Sequence, residues 1–284
     1  MAYEYEMLDV ELRGRLVIVT ISNPPINLIT LPLYFELIGL SRELEADPDL
    51  TVVVLKSADP DFFIAHADVE LILAASGEAR ETPKEPSLFQ QMVDRFRTMP
   101  KATIALIEGI CRGGGSEFVL SMDMRFAALG KAALAQPEVA VGIIPGGSGT
   151  QRLPRLMGRG RALEVILGCE DFSAEQAERY GYVNRALPTE ELRPFVEKLA
   201  YRIASFPAEA IARAKAAVLA AEPPMAPGLT EEARLFDESA ATSAARERMR
   251  AFLNAGGQTR EVEGVSGALI ASTLEQISSP TSSK

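Results

Sequence analysis

The chain has 284 residues, 47% of them apolar, and a formal charge of −10 at pH 7. With a mean hydropathy of +0.07, that length can bury one large core or two small ones and excludes a fibre. The acidic balance argues against a nucleic-acid partner. No apolar run approaches the roughly 20 residues that cross a bilayer, and the acidic start Met1-Ala2-Tyr3-Glu4-Tyr5-Glu6 lacks a signal-peptide pattern, so a cytoplasmic protein with no membrane partner is expected.

Residues 6–12 and 16–21 are predicted to form a hairpin around Arg13-Gly14-Arg15, with Asp9 and Glu11 on a solvated face. A helix is predicted over 33–46, where Leu33, Leu37, Leu40 and Leu44 recur at helical spacing and Pro48 ends the pattern. Residues 51–56 then supply the buried strand Val52-Val53-Val54-Leu55. The polar, proline-containing stretch 76–87 reads as a surface loop. A strand over 102–107 leads into Gly113-Gly114-Gly115-Ser116-Glu117, after which 118–122 has helical character. Short strands near 125–128 and 132–135 precede Gln136-Pro137-Glu138 and the glycine-rich run 142–150. This alternation predicts an α/β architecture. From about residue 190 the chain is rich in Ala, Arg and Glu, with helical patterns broken at Pro207 and Pro223-Pro224. A short helix is predicted within 264–277, and the Ser-Ser-Pro-Thr-Ser-Ser-Lys end has too little apolar surface to order itself.

Three glycines in a row let the backbone turn sharply and expose peptide N–H groups, a setting for an anion. A helix beginning after them would add its unpaired N–H groups and dipole. Glu117 and Glu138 are the candidate acid–base pair beside that setting. Read without context, Glu117 could equally complement a helix N-terminus, Glu138 could be a solvated loop carboxylate, and the glycines could serve tight packing. The run 142–150 lacks the Gly-Lys-Ser/Thr of a phosphate loop, and Gly146-Gly147-Ser148-Gly149-Thr150 misses the serine-nucleophile pattern at its last position. Cys111 and Cys169 are too few for a disulfide framework or a thiolate metal site, so reduced, buried thiols are expected. His66 is the only histidine, which excludes a histidine-rich metal centre; no metal is expected.

Five segments in order, Val52-Val53-Val54-Leu55, Phe63-Ile64-Ala65-His66-Ala67-Asp68, Gly113–Glu117, Gln136-Pro137-Glu138 and Pro145 to Leu153, resemble the crotonase superfamily of enoyl-CoA hydratases and isomerases over about residues 5–255. The resemblance implies a crotonase-like spiral of repeated ββα units over 1–205 and a helical oligomerisation section over 206–257 that builds a homotrimer or a hexamer (dimer of trimers), while the composition of 258–284 predicts a partly disordered tail. It implies an oxyanion hole from the backbone N–H groups of Ala67 and Gly114, gripping the thioester oxygen of an acyl-CoA. In hydratases of this family two glutamates bracket the catalytic water, and here both positions are filled, by Glu117 for the water and Glu138 for the α-proton. Isomerases need only the later one, so the pair favours hydration. Isomerase or other enolate chemistry, and a non-catalytic acyl-CoA-binding protein, are the alternatives. No separate cofactor is expected, because CoA is part of the substrate.

Ala65, His66, Asp68, Arg112 and Phe252 are expected to border that substrate. His66 stands where the family more often has glycine; its imidazole either contacts the cofactor moiety or acyl chain, or faces solvent. Arg112 replaces a residue that is commonly apolar or small, and either binds a carboxylated acyl group or phosphate, or packs at the surface. Residues 22–27 lack an arginine frequent in the family, and no lysine follows Phe252 closely. Phe252 is a candidate cover for the adenine, with Arg248 and Arg250 as candidate phosphate contacts.

Overall fold

The computed structural model describes residues 3–76 and 83–265. Among the described residues ten strands divide between two sheets. The larger contains β1 (Leu8–Arg13), β2 (Leu16–Ile21), β3 (Val52–Ser57), β5 (Ala102–Ile107), β7 (Met124–Ala128) and β10 (Arg185–Leu187), in the order β1-β2-β3-β5-β7-β10. The smaller contains β4 (Phe62–Ile64), β6 (Ile110–Arg112), β8 (Ala133–Ala135) and β9 (Phe172–Ser173), in the order β4-β6-β8-β9. β1 and β2 form the antiparallel hairpin, with Leu8 opposite Ile21, and β9 runs antiparallel to β8; the other pairs are parallel.

The spiral follows from this pairing. Each of the successive units β3/β4, β5/β6 and β7/β8 gives its first strand to the larger sheet and its second to the smaller one. Equivalent strands therefore stack in parallel, unit upon unit. The larger sheet is apolar on both faces because Leu16 and Ile18 of β2 pack with Val52 and Val54 of β3 on one side, while Val17, Val19 and Ile21 enter the main core on the other. Such double burial produces continuous hydrophobic runs rather than alternation.

Helices α1 (Leu31–Ala46), α2 (Val69–Ala75), α3 (Leu88–Thr98), α4 (Gly113–Leu120), α5 (Gly149–Met157), α6 (Arg159–Gly168) and α7 (Ala174–Tyr180) cover or thread the spiral. α8 (Thr189–Ala204) lays Leu192, Val196 and Ala200 on the outer face of the larger sheet. α9 (Ala208–Leu219), α10 (Ala226–Ala240), α11 (Ser243–Asn254) and the short α12 (Arg260–Glu263) complete the chain as described. Among the described residues no helix is long and apolar enough to cross a membrane.

Two expectations change. The helix after strand β6 starts at Gly113 itself, not beyond the glycines, and all eight residues of α4 are buried. The cause is crowding: a Cβ on Gly115 would lie 2.6 Å from Ile64, so only glycine lets the first turn of α4 rest on β4. Of the expected loop, residues 77–82 lie outside the described residues, and its end is a helix start in which Ser87 and Gln90 cap each other ahead of α3. The helix expected within 264–277 also lies outside them, apart from residues 264 and 265; α12 precedes it.

Candidate active site

The two backbone donors come from consecutive spiral units. After β4 the chain forms a bridge with residue 29, in which Ile29 N–H donates to His66 O at 2.9 Å and Asp68 N–H to Ile29 O at 3.3 Å. This pairing leaves the intervening Ala67 amide pointing the other way, as extended backbone alternates. Asp68 then caps α2 by accepting from Glu70 N–H. Gly114 is the second residue of α4, where a helix leaves N–H groups unpaired. Neither the Ala67 nor the Gly114 N–H has an acceptor among the described residues. They are neighbours: a Cβ on Gly114 would stand 3.4 Å from Ala67 N and 3.1 Å from Ala67 Cβ.

Glu117 lies one turn further along α4, and Glu138 opens a 3-10 turn (Glu138–Val141) directly after β8. Glu117 Oε1 accepts the N–H groups of Gly147 and Gly149 at 2.7 and 2.8 Å. Gln136 is satisfied when its amide nitrogen donates to Glu138 Oε1 and Oε2 at 3.2 and 3.1 Å and its oxygen accepts from Ser116. Both acids and both donors line one cavity of about 770 Å³. Its walls are mainly apolar, with Tyr34, Phe89, Ile143 and Phe236 among them.

The electrostatics of this cavity are unusual for two carboxyl groups. Burial pushes the Glu138 carboxyl up to about 8, with the Glu232 charge adding to it. Burial also raises Glu117 well above the carboxylate range, reinforced by the charges of Glu138 and Glu232. Like charges in a desolvated site hold a proton between them. The two N–H bonds to Glu117 favour its anion and so oppose the rise that burial imposes.

His66 and Arg112 lie elsewhere. His66 is buried, with Nδ1 2.7 Å from Ala67 O and Nε2 2.9 Å from Glu263 Oε1. Both neighbours are acceptors, so both ring nitrogens donate and the ring is an imidazolium. Burial opposes that charge, but Glu263 outweighs it and raises the pKa. Arg112 forms a two-pronged pair with Asp171, at 2.7 Å on each prong, and its Nη1 donates to Glu263 O at 2.9 Å. The solvent-facing alternative for His66 and the surface-packing alternative for Arg112 are therefore overturned, because α12 closes over both and supplies the missing charge. Phe252 packs edge-on against His66 with ring centroids 5.7 Å apart. His66, Arg112 and Phe252 line a second, smaller cavity of about 80 Å³ that shares Ala67, Gly114 and Glu138 with the first. Asp68 borders the larger one. Ala65 is fully buried, and its N–H donates to Ile26 O at 3.1 Å. Arg248 donates to Ala140 O at 3.1 Å, and Arg250 is exposed. Cys111 and Cys169 are buried thiols.

Two acids escaped the sequence reading. Glu263 falls in the stretch where the composition predicts a tail, yet it is fully buried. Glu232 follows Glu231 on α10, and adjacent acids on a helix ordinarily face water. The available signal was spacing: Leu229, Glu232, Ala233 and Phe236 share one helical stripe, which packs inward.

Residues 11–259 match the family model described as enoyl-CoA hydratase/isomerase. The crotonyl-CoA hydratase of Syntrophomonas wolfei is 34% identical over 256 residues, covering 89% of this chain and 96% of that protein. The short-chain-enoyl-CoA hydratase of Clostridium acetobutylicum is 31% identical over 263 residues, covering 92% and 98%. A crystal structure from Streptomyces avermitilis, assigned as an enoyl-CoA hydratase, superposes with a TM-score of 0.87 at 36% identity and covers 96% of this chain and 100% of that one. With these likenesses spanning nearly the whole spiral and its helical end, the chain belongs to the enoyl-CoA hydratase/isomerase family of the crotonase superfamily.

Proposed function

We propose that this protein hydrates 2-enoyl-CoA thioesters. The observation that carries the reading is the convergence of Ala67, Gly114, Glu117 and Glu138 on one cavity. The Ala67 and Gly114 N–H groups hold the thioester oxygen and stabilise the negative charge that reaches it as the β-carbon is attacked. Glu117, its Oε1 fixed by two amides, takes a proton from water through the other oxygen as the water oxygen bonds to the β-carbon. Glu138, protonated at neutral pH, gives its proton to the α-carbon, and the enolate electrons return to close the thioester. The proton gained by Glu117 then passes to Glu138 through water, restoring the pair.

Glu138 alone, titrating at about 8, also suits proton shuttling between two carbons, so double-bond migration in 3-enoyl-CoA esters is the second reading. A panel of short, long and aromatic 2- and 3-enoyl-CoA esters separates them. Oxygen from labelled water in the product indicates hydration; migration without it indicates isomerisation. Glu117→Gln and Glu138→Gln should each lower the hydration rate by about 10²–10⁴-fold. A loss below about threefold in both would remove the acid–base assignment. A homotrimer or a hexamer accompanies this reading, supported by the exposed Leu156, Leu163 and Leu167 of α5 and α6; light scattering tests it.

A further inference from the structure

Four successive amides at the start of α5 alternate between two buried carboxylates. The N–H groups of Gly147 and Gly149 go to Glu117, at 2.7 and 2.8 Å. Those of Ser148 and Thr150 go to Glu232, at 2.6 and 3.0 Å. Glu232 also accepts from the Thr150 hydroxyl and, at 2.9 Å, from the Gln90 amide of α3. Gln90 is itself buried and tied to Leu229 O at 3.0 Å. Between the two acids, Ser148 holds φ at 99°, a conformation that a side-chain-bearing residue keeps only when its surroundings over-determine it. Glu232 on its N–H and Arg152 on its hydroxyl, at 2.6 Å, supply that constraint. Glu232 does not line the cavity.

We propose that Glu232 is a positioning residue for hydration: it fixes the Gly146–Thr150 turn from behind so that the alternate amides face Glu117. This rests on the hydratase reading. The charged groups around the pair are Glu138 on the 3-10 turn and Arg152 on α5, the latter paired with Asp94 of α3 at 3.3 Å. His66 acts on Glu138 from beyond.

The test compares wild type, Glu232→Gln and Thr150→Val on a 2-enoyl-CoA ester that the wild type hydrates. In Glu232→Gln one face of the side chain becomes a donor opposed to a donor. kcat should then fall about 10- to 100-fold, the range for partners that orient a reacting group, with KM within about threefold. The acid limb of the pH–rate profile should move to lower pH, because one of the charges that raises Glu117 is gone. Amides at 147–150 should exchange hydrogen faster without faster exchange in β5. Thr150→Val, which removes only the hydroxyl bond, should lower kcat by a smaller factor. A Glu232→Gln enzyme with kcat within threefold of wild type and an unmoved acid limb overturns the proposal. If that variant does not fold, an unchanged kcat in Thr150→Val overturns it instead. Wild type that hydrates no enoyl-CoA ester removes the hydratase reading itself, a different outcome from either.

Discussion

Two clusters of buried ionisable groups flank Gly113, where a Cβ would stand 3.0 Å from Glu138 Oε1 and 3.2 Å from His66 Cβ. On one side Glu117 and Glu138 line the larger cavity with Glu232 buried behind it, and all three have amide donors as direct partners. On the other, Glu263 and Asp171 are matched by His66 and Arg112. Burial is similar and the outcome is opposite: the first set is pushed toward the neutral form, while the His66 bond outweighs burial and holds Glu263 below the usual range. Charge compensation, rather than depth, separates the acids pushed toward the neutral form from those that fasten the chain as anions.

The largest way to break the contrast is Arg112→Met, which leaves Asp171 and Glu263 buried with half their compensation. Stability should fall by about 3–5 kcal/mol, read by urea denaturation. Gly147→Ala attacks the uncompensated side. Its Cβ would lie 2.4 Å from the Phe89 ring and 2.7 Å from Glu117 Oε2, so a loss of about 1–3 kcal/mol from overpacking is expected, together with lower hydration activity.

A third comparison uses pH. Glu138 binds its proton more tightly folded, at about 8, than at its ordinary value of 4.5. Its contribution is therefore fully present below that ordinary value and is lost as pH climbs through 8. Glu263 is shifted downward, so its contribution is present above 4.5 and is lost on acidification through its folded pKa. Glu138→Gln should flatten the decline of melting temperature between those two values of Glu138 while leaving the acid limb from Glu263 in place; an unchanged slope contradicts the assignment. The smallest effect belongs to Arg234→Ala, which removes ion pairs to the exposed Glu231 and Glu238. It should change stability by less than about 1 kcal/mol, because solvent already screens such pairs.

Much of the uncompensated side was legible because its parts are local. Strand 102–107, the glycine run and Gln136-Pro137-Glu138 each carry a pattern within a few residues, and the family resemblance orders them. The compensated side was not. His66 meets Glu263 across 197 positions and Arg112 meets Glu263 across 151, so a lone histidine and a misplaced arginine offered no hint of a common partner. Glu232 was hidden differently, since an acidic pair on a helix ordinarily faces water. Only packing of α10 against α5 turns it inward, to accept the N–H groups of Ser148 and Thr150.

Because α10 supplies Phe236 and Ala240 to the cavity wall and α12 delivers Glu263 to His66, the reaction chamber is assembled by the late-made part of the polypeptide. During synthesis the spiral can emerge with Glu117 and Glu138 already in its sequence, but the cavity and its fastening stay unfinished until residue 263 has left the ribosome. A nascent chain caught earlier would carry the two acids without the enclosure.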